Sequence, residues 1–428
     1  MYENSDIINL LIDEANEKAL EDRMLYVNFF KLIEDFANKN NLILGGINGI
    51  NLLIDNVNIN KDSFYYEFYS NDALKLSKLL VDAIYNSDSK NLGKYTQMIT
   101  KVPYFQFSIF VNTRELVTIF NLPVHHGIET ENIITPIIKK SLFSDTKLKI
   151  FNAELQLINI YSTLCNPAKA DKWNDYLDYE KKLQTIFKNE FIEKVNTLDA
   201  VLESQMMESK VSNNIIVALI DKLIKDSSRI LIGNTATCIL RKIPIDNEKR
   251  IQIISSYDFY QEIKEVEKVA KQFGFRIQFG INDLKNPLES RLKRLTIYIE
   301  NKDVKREPLI DIFNTSTYDL VPYITIDDIK VGCIFILMKY RLLDIWTMQL
   351  IMRIGTSDKK YVKFILTKMF DDYIKLSILY DNYIKSSSFE NINGESYVGA
   401  YEDITLSYKR KAQMDNFYPP PYSPISID

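Results

Sequence analysis

Two adjacent glycines, Gly45 and Gly46, are the first feature of this sequence that could do chemistry. They follow a short apolar run, residues 42–44, which predicts a buried strand, and they precede residues 47–55, which predict a helix. A glycine pair between a strand and a helix lets backbone N–H groups approach a phosphate closely, because no side chain intervenes. The same pair also serves in a plain tight turn, so the glycines alone leave both interpretations open.

If the glycine turn belongs to a nucleotide-transferring site, acidic side chains are expected after it. That reaction uses two metal ions, held by about three carboxylates. Two of these usually alternate on one strand, so that both face the same side, and the third comes from a neighbouring strand. The next predicted strand, residues 64–69, carries Glu67, and further strands are predicted over 104–112 and 116–122. Glu67 is therefore a candidate metal ligand, although a salt-bridged residue at a sheet edge would give the same pattern.

The pattern of strand, glycine and helix occurs twice in the chain. A helix predicted over 212–228 leads into Arg229-Ile230-Leu231-Ile232-Gly233, which aligns Gly233 with Gly45. Residues 309–314 align in the same way with residues 116–121. The repetition predicts an internal duplication of one α+β module. Chance recurrence of strand–glycine–helix units in α/β proteins is the alternative interpretation.

This duplication predicts the domain organisation of the chain. We expect a first module over residues 1–190, a second, degenerate module over 191–385, and an extended tail over 386–428 that ends in a proline-rich stretch. Within the first module, residues 147–165 predict one long helix, which ends before Pro167.

In its order of motifs the chain resembles the poly(A) polymerases of large cytoplasmic DNA viruses, of the asfarvirus, mimivirus and poxvirus lineages. The resemblance rests on the glycine pair, on the Tyr69-Ser70 pair after the strand that carries Glu67, on the helix after the first module, and on the degenerate second module. It implies two tandem polymerase-β-like nucleotidyltransferase modules. It also implies that Gly45, Gly46 and Ser70 bind nucleotide and that Glu67 is catalytic and binds metal.

The activity that this resemblance implies is transfer of AMP from ATP to the 3′-hydroxyl of RNA, in polyadenylation of mRNA. The implied cofactors are Mg2+ or Mn2+ and ATP. The implied partners are an mRNA 3′-end and a second poly(A) polymerase-like subunit, in a homodimer or a heterodimer. The implied location is the host cytoplasm, with packaging in the virion as an open alternative.

The chain departs from this family at the metal-binding positions. In the first module these positions fall on Tyr65, Glu67 and Thr118, so one acid of three remains. In the second module they fall on Arg250, Gln252 and Asp311. Gly233 and Asp311 are then remnants of the second site, and neither module keeps three carboxylates.

Three acids close in sequence to the first site could replace the lost ligands. They are Asp62, Asp72 and Glu115. Asp62 is expected in a loop and Asp72 at the start of a helix, where Asp72 or Ser70 would act as the N-cap. Whether any of the three reaches the metal position stays open at the level of sequence.

A basic and aromatic helix, residues 171–187, is the candidate RNA-binding element. It carries Lys172, Trp173, Lys181 and Lys182. Bases stack on tryptophan and phosphates pair with lysine, so these residue types suit single-stranded RNA. The alternative is a helix that packs its aromatic face and exposes its charges to water.

Composition excludes several other classes of function. The chain has 428 residues, a formal net charge of −4, three cysteines and only two histidines. The cysteines are far apart and the histidines are adjacent, which does not make a zinc site. The most apolar run, residues 331–338, is too short to span a bilayer, and the N-terminus lacks the basic start of a signal peptide. We therefore expect no membrane partner.

Three functions remain open at this stage. The first is a poly(A) polymerase-type protein that is catalytically impaired. The second is a pseudo-enzyme that needs no cofactor, binds RNA and dimerises with an active homologue. The third is a scaffold or virion component without a role in nucleic-acid binding.

Overall fold

The computed structural model describes the chain over eighteen stretches. They are residues 17–18, 21–56, 64–88, 90–122, 124–125, 128–129, 134, 136–166, 173–196, 213–243, 250–286, 289–302, 306–314, 321–354, 359–386, 396–398, 413 and 421–424. The chain divides into two compact units, of which the first comprises Met1–Gln156, Lys182–Ile186 and Thr405–Asp428 and the second Leu157–Lys181 and Phe187–Ile404. The sequence-based domain boundaries at residues 190 and 385 stay predictions.

The first unit is built around a seven-stranded sheet with the strand order β3-β4-β5-β2-β1-β9-β8. Its strands are β1 (Ile43–Gly45), β2 (Tyr66–Ser70), β3 (Thr96–Val102), β4 (Gln106–Val111), β5 (Arg114–Asn121), β8 (Ile137–Lys140) and β9 (Lys147–Ile150). A separate two-stranded sheet joins β6 (Val124–His125) to β7 (Ile128–Glu129). The helices before β9 are α1 (Val27–Lys39), α2 (Gly46–Leu53) and α3 (Ala73–Ser87), with a 3-10 turn over Leu92–Tyr95.

The second unit is built around an eight-stranded sheet with the strand order β12-β13-β14-β11-β10-β16-β15-β17. Its strands are β10 (Ile230–Ile232), β11 (Ile251–Ser255), β12 (Arg276–Asn286), β13 (Glu289–Glu300), β14 (Glu307–Asn314), β15 (Val321–Ile326), β16 (Ile329–Gly332) and β17 (Ser396–Val398). The helices from β9 onward are α4 (Ala153–Leu164), α5 (Trp173–Asn196), α6 (Asn213–Leu219), α7 (Gly233–Leu240), α8 (Phe259–Gln272), α9 (Ile334–Ile354) and α10 (Lys359–Ser386).

Corresponding strands pair in the same way in the two sheets. In the first, β1 is antiparallel to β2 and parallel to β9, and β2 is parallel to β5. In the second, β10 is antiparallel to β11 and parallel to β16, and β11 is parallel to β14. The prediction of an α+β fold with two tandem modules of one topology is confirmed.

The structure corrects the alignment of the two glycine turns by one residue. Gly46 and Gly233 each open a helix, and each has a positive φ, of 59° and 72°. They are therefore the equivalent pair, whereas the sequence comparison had placed Gly45 opposite Gly233. The sequence could not fix this register, because the first copy has two glycines where the second has one.

The prediction of one long helix over residues 147–165 is wrong at its start. Residues 147–150 form strand β9, and α4 begins only at Ala153. Leu148 and Ile150 are fully buried, whereas Lys147 and Lys149, which alternate with them, are more exposed, and this is the alternation of a strand. Strand β9 also fills the position parallel to β1, as β16 does next to β10.

A buried carboxylate anchors strand β2, which carries the candidate site. Glu34 of α1 is fully buried and accepts hydrogen bonds from the Tyr66 hydroxyl and from the backbone N–H groups of Leu142, Phe143 and Ser144, the last at 2.6 Å. These donors compensate for the loss of water around the charge. Burial, together with the nearby charge of Glu34, raises the pKa of Tyr66 well above its usual range, so the phenol stays a donor.

None of the described helices is both long enough and apolar enough to cross a membrane.

Candidate functional site

The first candidate site is a row of residues across four neighbouring strands. Gly45 on β1 pairs with Glu67 on β2, and Glu67 pairs with Thr118 on β5. Thr118 in turn pairs with Ser108 on β4. Directly paired residues project from the same face of a sheet, so the second and third metal-binding positions are neighbours, as the sequence predicted. Glu67 is half-buried and Thr118 is fully buried.

The space above the glycine pair is filled by side chains of the chain itself. A Cβ atom on Gly46 would lie 2.7 Å from Oε2 of Glu67, and a Cβ atom on Gly45 would lie 2.6 Å from the ring of Tyr69 and 3.1 Å from that of Phe151. The two rings therefore favour glycine at position 45, and the positive φ together with the nearby Glu67 favours glycine at position 46. The role of both glycines in nucleotide binding stays a prediction. The same holds for Ser70, whose buried hydroxyl accepts a hydrogen bond from the backbone N–H of Asp72 at 3.2 Å.

At the third metal-binding position the chain holds a hydroxyl network instead of a carboxylate. The hydroxyl of Thr118 donates to Oε1 of Glu115 at 2.7 Å and lies 2.8 Å from that of Ser108. The other oxygen of Glu115 pairs with the ammonium group of Lys101. Burial raises the pKa of Glu115, but hydrogen bonds from Lys101 and Thr118 outweigh it, and the net shift is downward. Glu115 thus lies one hydrogen bond from the third position with its charge already balanced by Lys101.

The other candidate ligands of the first site have different surroundings. Tyr65 precedes β2, and its carbonyl accepts a hydrogen bond from Nδ2 of Asn48 at 2.7 Å. Asp72 stands at the start of α3, but its side chain makes no capping hydrogen bond, which corrects the expectation of a side-chain cap. Its carboxylate is exposed and lies 3.7 Å from Nζ of Lys75. Asp62 lies outside the described residues.

The equivalent row of the second module contains a buried ion pair. Gln252 on β11 pairs with Asp311 on β14, which pairs with Thr296 on β13. Asp311 is fully buried, accepts the Thr296 hydroxyl at 2.7 Å and pairs with the guanidinium of Arg250. Burial disfavours the charged guanidinium, but the carboxylate of Asp311 and, further away, that of Asp344 raise the pKa of Arg250 overall. The positive charge facing Asp311 therefore comes from an arginine of the same chain.

Helix α9 supplies a second carboxylate to this row, which sequence reasoning missed. Asp344 of α9 accepts a hydrogen bond from Nε2 of Gln252 at 3.0 Å and lies 3.7 Å from the guanidinium of Arg294. It is 92 residues from Gln252 in sequence and has no motif around it, so no local signal could have identified it. Gly233 fits closely here as Gly46 does in the first module, because a Cβ atom on it would clash with Oε1 of Gln252.

The donors that the structure describes in the two modules do not fit a pair of divalent cations. Such a pair requires several oxygen ligands whose negative charge balances the ions. In the first module one carboxylate, Glu67, stands at a position that the family resemblance predicts to bind metal, and in the second the guanidinium of Arg250 supplies the positive charge next to Asp311. Among the described residues there is also no group of three or more histidine, cysteine, aspartate or glutamate side chains that could hold a metal ion.

The candidate RNA-binding helix is present, as α5, but its residues do not share one face. Trp173 is half-buried, and its indole N–H donates to the carbonyl of Thr163 at 3.0 Å. Lys181 and Lys182 are exposed. At about 100° per residue, Trp173 and Lys182 lie on opposite sides of the helix. Lys172 lies outside the described residues, and RNA binding by all four residues stays a prediction.

Comparison with known proteins places this chain among viral proteins. No family model matches the sequence. The chain is 30% identical over 376 residues to an uncharacterised protein of African swine fever virus from the Tick/Malawi isolate, and the match covers 86% of each chain. The corresponding protein of the Pretoriuskop isolate is 30% identical over 378 residues, again with 86% of each chain covered. The chain belongs to this family of asfarvirus proteins.

The fold of this asfarvirus-family chain has a counterpart among solved structures. It matches the Megavirus polyadenylate synthase with a TM-score of 0.62, over 97% of this chain and 82% of the other, at 15% sequence identity. At that identity the similarity shows the fold alone, which is a polymerase-β-like nucleotidyltransferase fold. The fold that the sequence resemblance implied is thereby confirmed.

Proposed function

We propose that this chain is a poly(A) polymerase-type protein that does not itself transfer nucleotides. In this proposal it acts in mRNA 3′-end polyadenylation as the RNA-holding subunit of a dimer whose other subunit is an active homologue, in the host cytoplasm. It needs neither ATP nor a divalent metal for this role. The fold, shared with the Megavirus polyadenylate synthase, supports the assignment to polyadenylation.

The first module carries the non-catalytic part of the proposal, because Glu67 is the one carboxylate among its three family metal positions, and the ion pair between Arg250 and Asp311 extends the argument to the second module. A guanidinium placed against the retained carboxylate repels a divalent cation and leaves no free charge to bind it. In the first module, Thr118 brings a hydroxyl to the third position. Neither module therefore presents, at its family metal positions, the three carboxylates that two divalent ions require.

Exposed lysines on α5 support the RNA-holding part. Lys181 and Lys182 are adjacent and exposed on α5, and exposed lysines are the residue type that pairs with the phosphates of a single strand. Trp173 is half-buried and already donates its N–H within the chain. In this proposal the lysines contribute the RNA affinity and Trp173 positions the start of the helix.

A second candidate function has one observation in its favour. Glu115 accepts a hydrogen bond from Thr118, so a rearrangement that breaks the contact with Lys101 would bring a carboxylate to the third metal position. In this candidate the chain is an active polynucleotide adenylyltransferase that uses Mg2+ or Mn2+ and ATP. Glu67 and Glu115 would then be its metal ligands.

One primer-extension experiment separates the two candidates. The full chain is incubated with an oligo(A)-tailed RNA, ATP and either Mg2+ or Mn2+. The proposal predicts no extension by the wild type. Extension that is abolished by Glu67→Gln and by Glu115→Gln would contradict the proposal and support the second candidate.

RNA affinity, measured by fluorescence anisotropy over a range of salt concentrations, tests the positive half of the proposal. We expect salt-sensitive binding that weakens in the Lys181→Ala/Lys182→Ala variant, with the salt slope falling by about one for each phosphate that a lysine no longer neutralises. The matched control is Lys268→Ala, an exposed lysine on α8, which should leave affinity unchanged. No binding of RNA by the wild type would refute the RNA-holding role.

A further inference from the structure

Strand β3 forms one edge of the seven-stranded sheet. It has seven residues, and β4 pairs with one of its sides. The N–H and C=O groups on the other side of such an edge can pair with any extended peptide, so proteins generally cover edges of this kind. Within the described residues, the open edge of β3 is contacted by a residue of the same chain.

Tyr422, near the C-terminal end of the sequence, pairs with the open side of β3. The N–H of Met98 donates to the carbonyl of Tyr422 at 2.8 Å, and the N–H of Tyr422 donates to the carbonyl of Met98 at 3.0 Å. The two residues form an isolated antiparallel bridge. Reciprocal pairing of this kind is how an added peptide strand binds a sheet edge.

The side chain of Tyr422 is held by helix α3, whose two contacting residues lie one turn apart. Its hydroxyl donates to Oδ1 of Asp82 at 2.8 Å, and Nζ of Lys78 lies 5.4 Å from the centre of its ring. The hydrogen bond to Asp82, followed by partial burial, raises the pKa of Tyr422, so the phenol remains a donor. The edge of β3 and this face of α3 therefore recognise both the backbone and the side chain of one tyrosine.

Prolines limit the pairing to this single residue. In antiparallel pairing, the next residues that would face β3 are two positions to either side of Tyr422, and the sequence has prolines there, Pro420 and Pro424, which have no N–H to donate. Pairing beyond Tyr422 therefore lacks its N–H donors on this segment, and the contacts of Tyr422 determine the affinity. Two backbone hydrogen bonds and one phenol–carboxylate bond form an attachment that can open and close.

We propose that the edge of β3, with Asp82 and Lys78, is a docking site for an extended peptide that carries a tyrosine between prolines. The chain's own C-terminal segment is its resident occupant. The site holds this segment reversibly, so that a peptide of the same chemistry competes for it. Neither the site nor the proposed occupant depends on RNA, nucleotide or metal.

Hydrogen exchange of the full chain tests whether the segment covers the edge. The Tyr422→Gly variant removes the phenol, and we expect the amide of Met98 to exchange about tenfold faster in it than in the wild type. The matched control is Ser423→Gly, which changes the exposed neighbouring residue and should leave Met98 as it is. Equal exchange at Met98 in the wild type and in Tyr422→Gly would overturn the proposal.

Peptide binding tests the recognition of tyrosine. The probe is a fluorescent peptide with the sequence of residues 419–428, and the receptor is the full-length Tyr422→Gly variant, whose site lacks its tyrosine. We expect saturable binding that becomes about tenfold weaker when phenylalanine replaces tyrosine in the peptide. In the receptor that also carries Asp82→Leu, both peptides should bind alike. No binding, or equal binding of both peptides to the Tyr422→Gly receptor, would overturn the proposal.

Discussion

The ion pair in the second module makes the sharpest prediction, which concerns the Arg250→Met variant. Methionine keeps much of the side-chain volume and removes the charge. Asp311 is then left fully buried with Thr296 as its remaining described hydrogen-bond donor. Removing one partner of a buried pair costs about 3–5 kcal/mol, because the other charge stays buried. The Arg250 side chain is 37% exposed, so water reaches the pair from that side, and we expect a loss of about 2–3 kcal/mol.

Urea unfolding followed by tryptophan fluorescence measures this loss. The chain has two tryptophans, Trp173 and Trp346, and both belong to the second unit, so the signal reports on the unit that is perturbed. The matched control is Arg276→Met, an exposed arginine on the edge strand β12, which should change the free energy of unfolding by less than about 0.5 kcal/mol.

A double-mutant cycle separates the pair from other effects of the substitution. With Asp311→Asn in the background, Arg250→Met should cost much less, because no buried charge is left unpaired. We expect a coupling energy of about 2 kcal/mol between the two positions. Additive effects, or a loss below about 0.5 kcal/mol in Arg250→Met alone, would refute the assignment of Arg250 as the internal counter-charge.

Two further predictions concern the first module. Gly46→Ala should lower the free energy of unfolding by about 1–3 kcal/mol, because φ is positive and the new Cβ would lie 2.7 Å from Glu67. Gly280→Ala, with open space around its Cβ, should change it by less than about 0.5 kcal/mol, and urea unfolding followed by far-UV circular dichroism measures both, because both tryptophans belong to the second unit. The folded-state pKa of Glu115 is lowered, so its pairing with Lys101 stabilises the fold above the unfolded pKa and is lost as the pH falls. Lys101→Met should therefore be about 0.5–1 kcal/mol less stable than the wild type at pH 7. The difference should shrink as the pH falls below the ordinary pKa of glutamate, about 4.3, and vanish once Glu115 is protonated in the folded state. A difference that does not vary with pH would show that the pairing with Lys101 does not lower the pKa of Glu115.

The parts of the fold that depend on neighbouring residues could be predicted from the sequence. The strand before Gly45, the helix after it and their repetition at Gly233 follow from short apolar runs and from glycine. The strand over residues 147–150 could also have been found, since its lysines alternate with Leu148 and Ile150, but the apolar helix that follows obscured the change of period.

The parts of the site that depend on strand register could not be predicted. Lys101 reaches Glu115, and Glu115 reaches Thr118, only through the pairing of β3, β4 and β5, which shifts register between Ile109 and Phe110. The resemblance placed Arg250 and Asp311 at metal-binding positions, but their pairing with each other appears only when β11 and β14 are adjacent. Contacts between such distant segments leave no periodic signal in a sequence.

Manganese binding is the direct test of whether either module holds a metal pair. Mn2+ is titrated into the full chain, and the free ion is measured by electron paramagnetic resonance. We expect the free Mn2+ signal to follow the total added, with no site occupied at concentrations of about 0.1 mM, where carboxylate-rich sites fill. Uptake of about two ions per chain that is lost in Glu67→Gln would contradict the non-catalytic assignment and show that displaced carboxylates complete the first site.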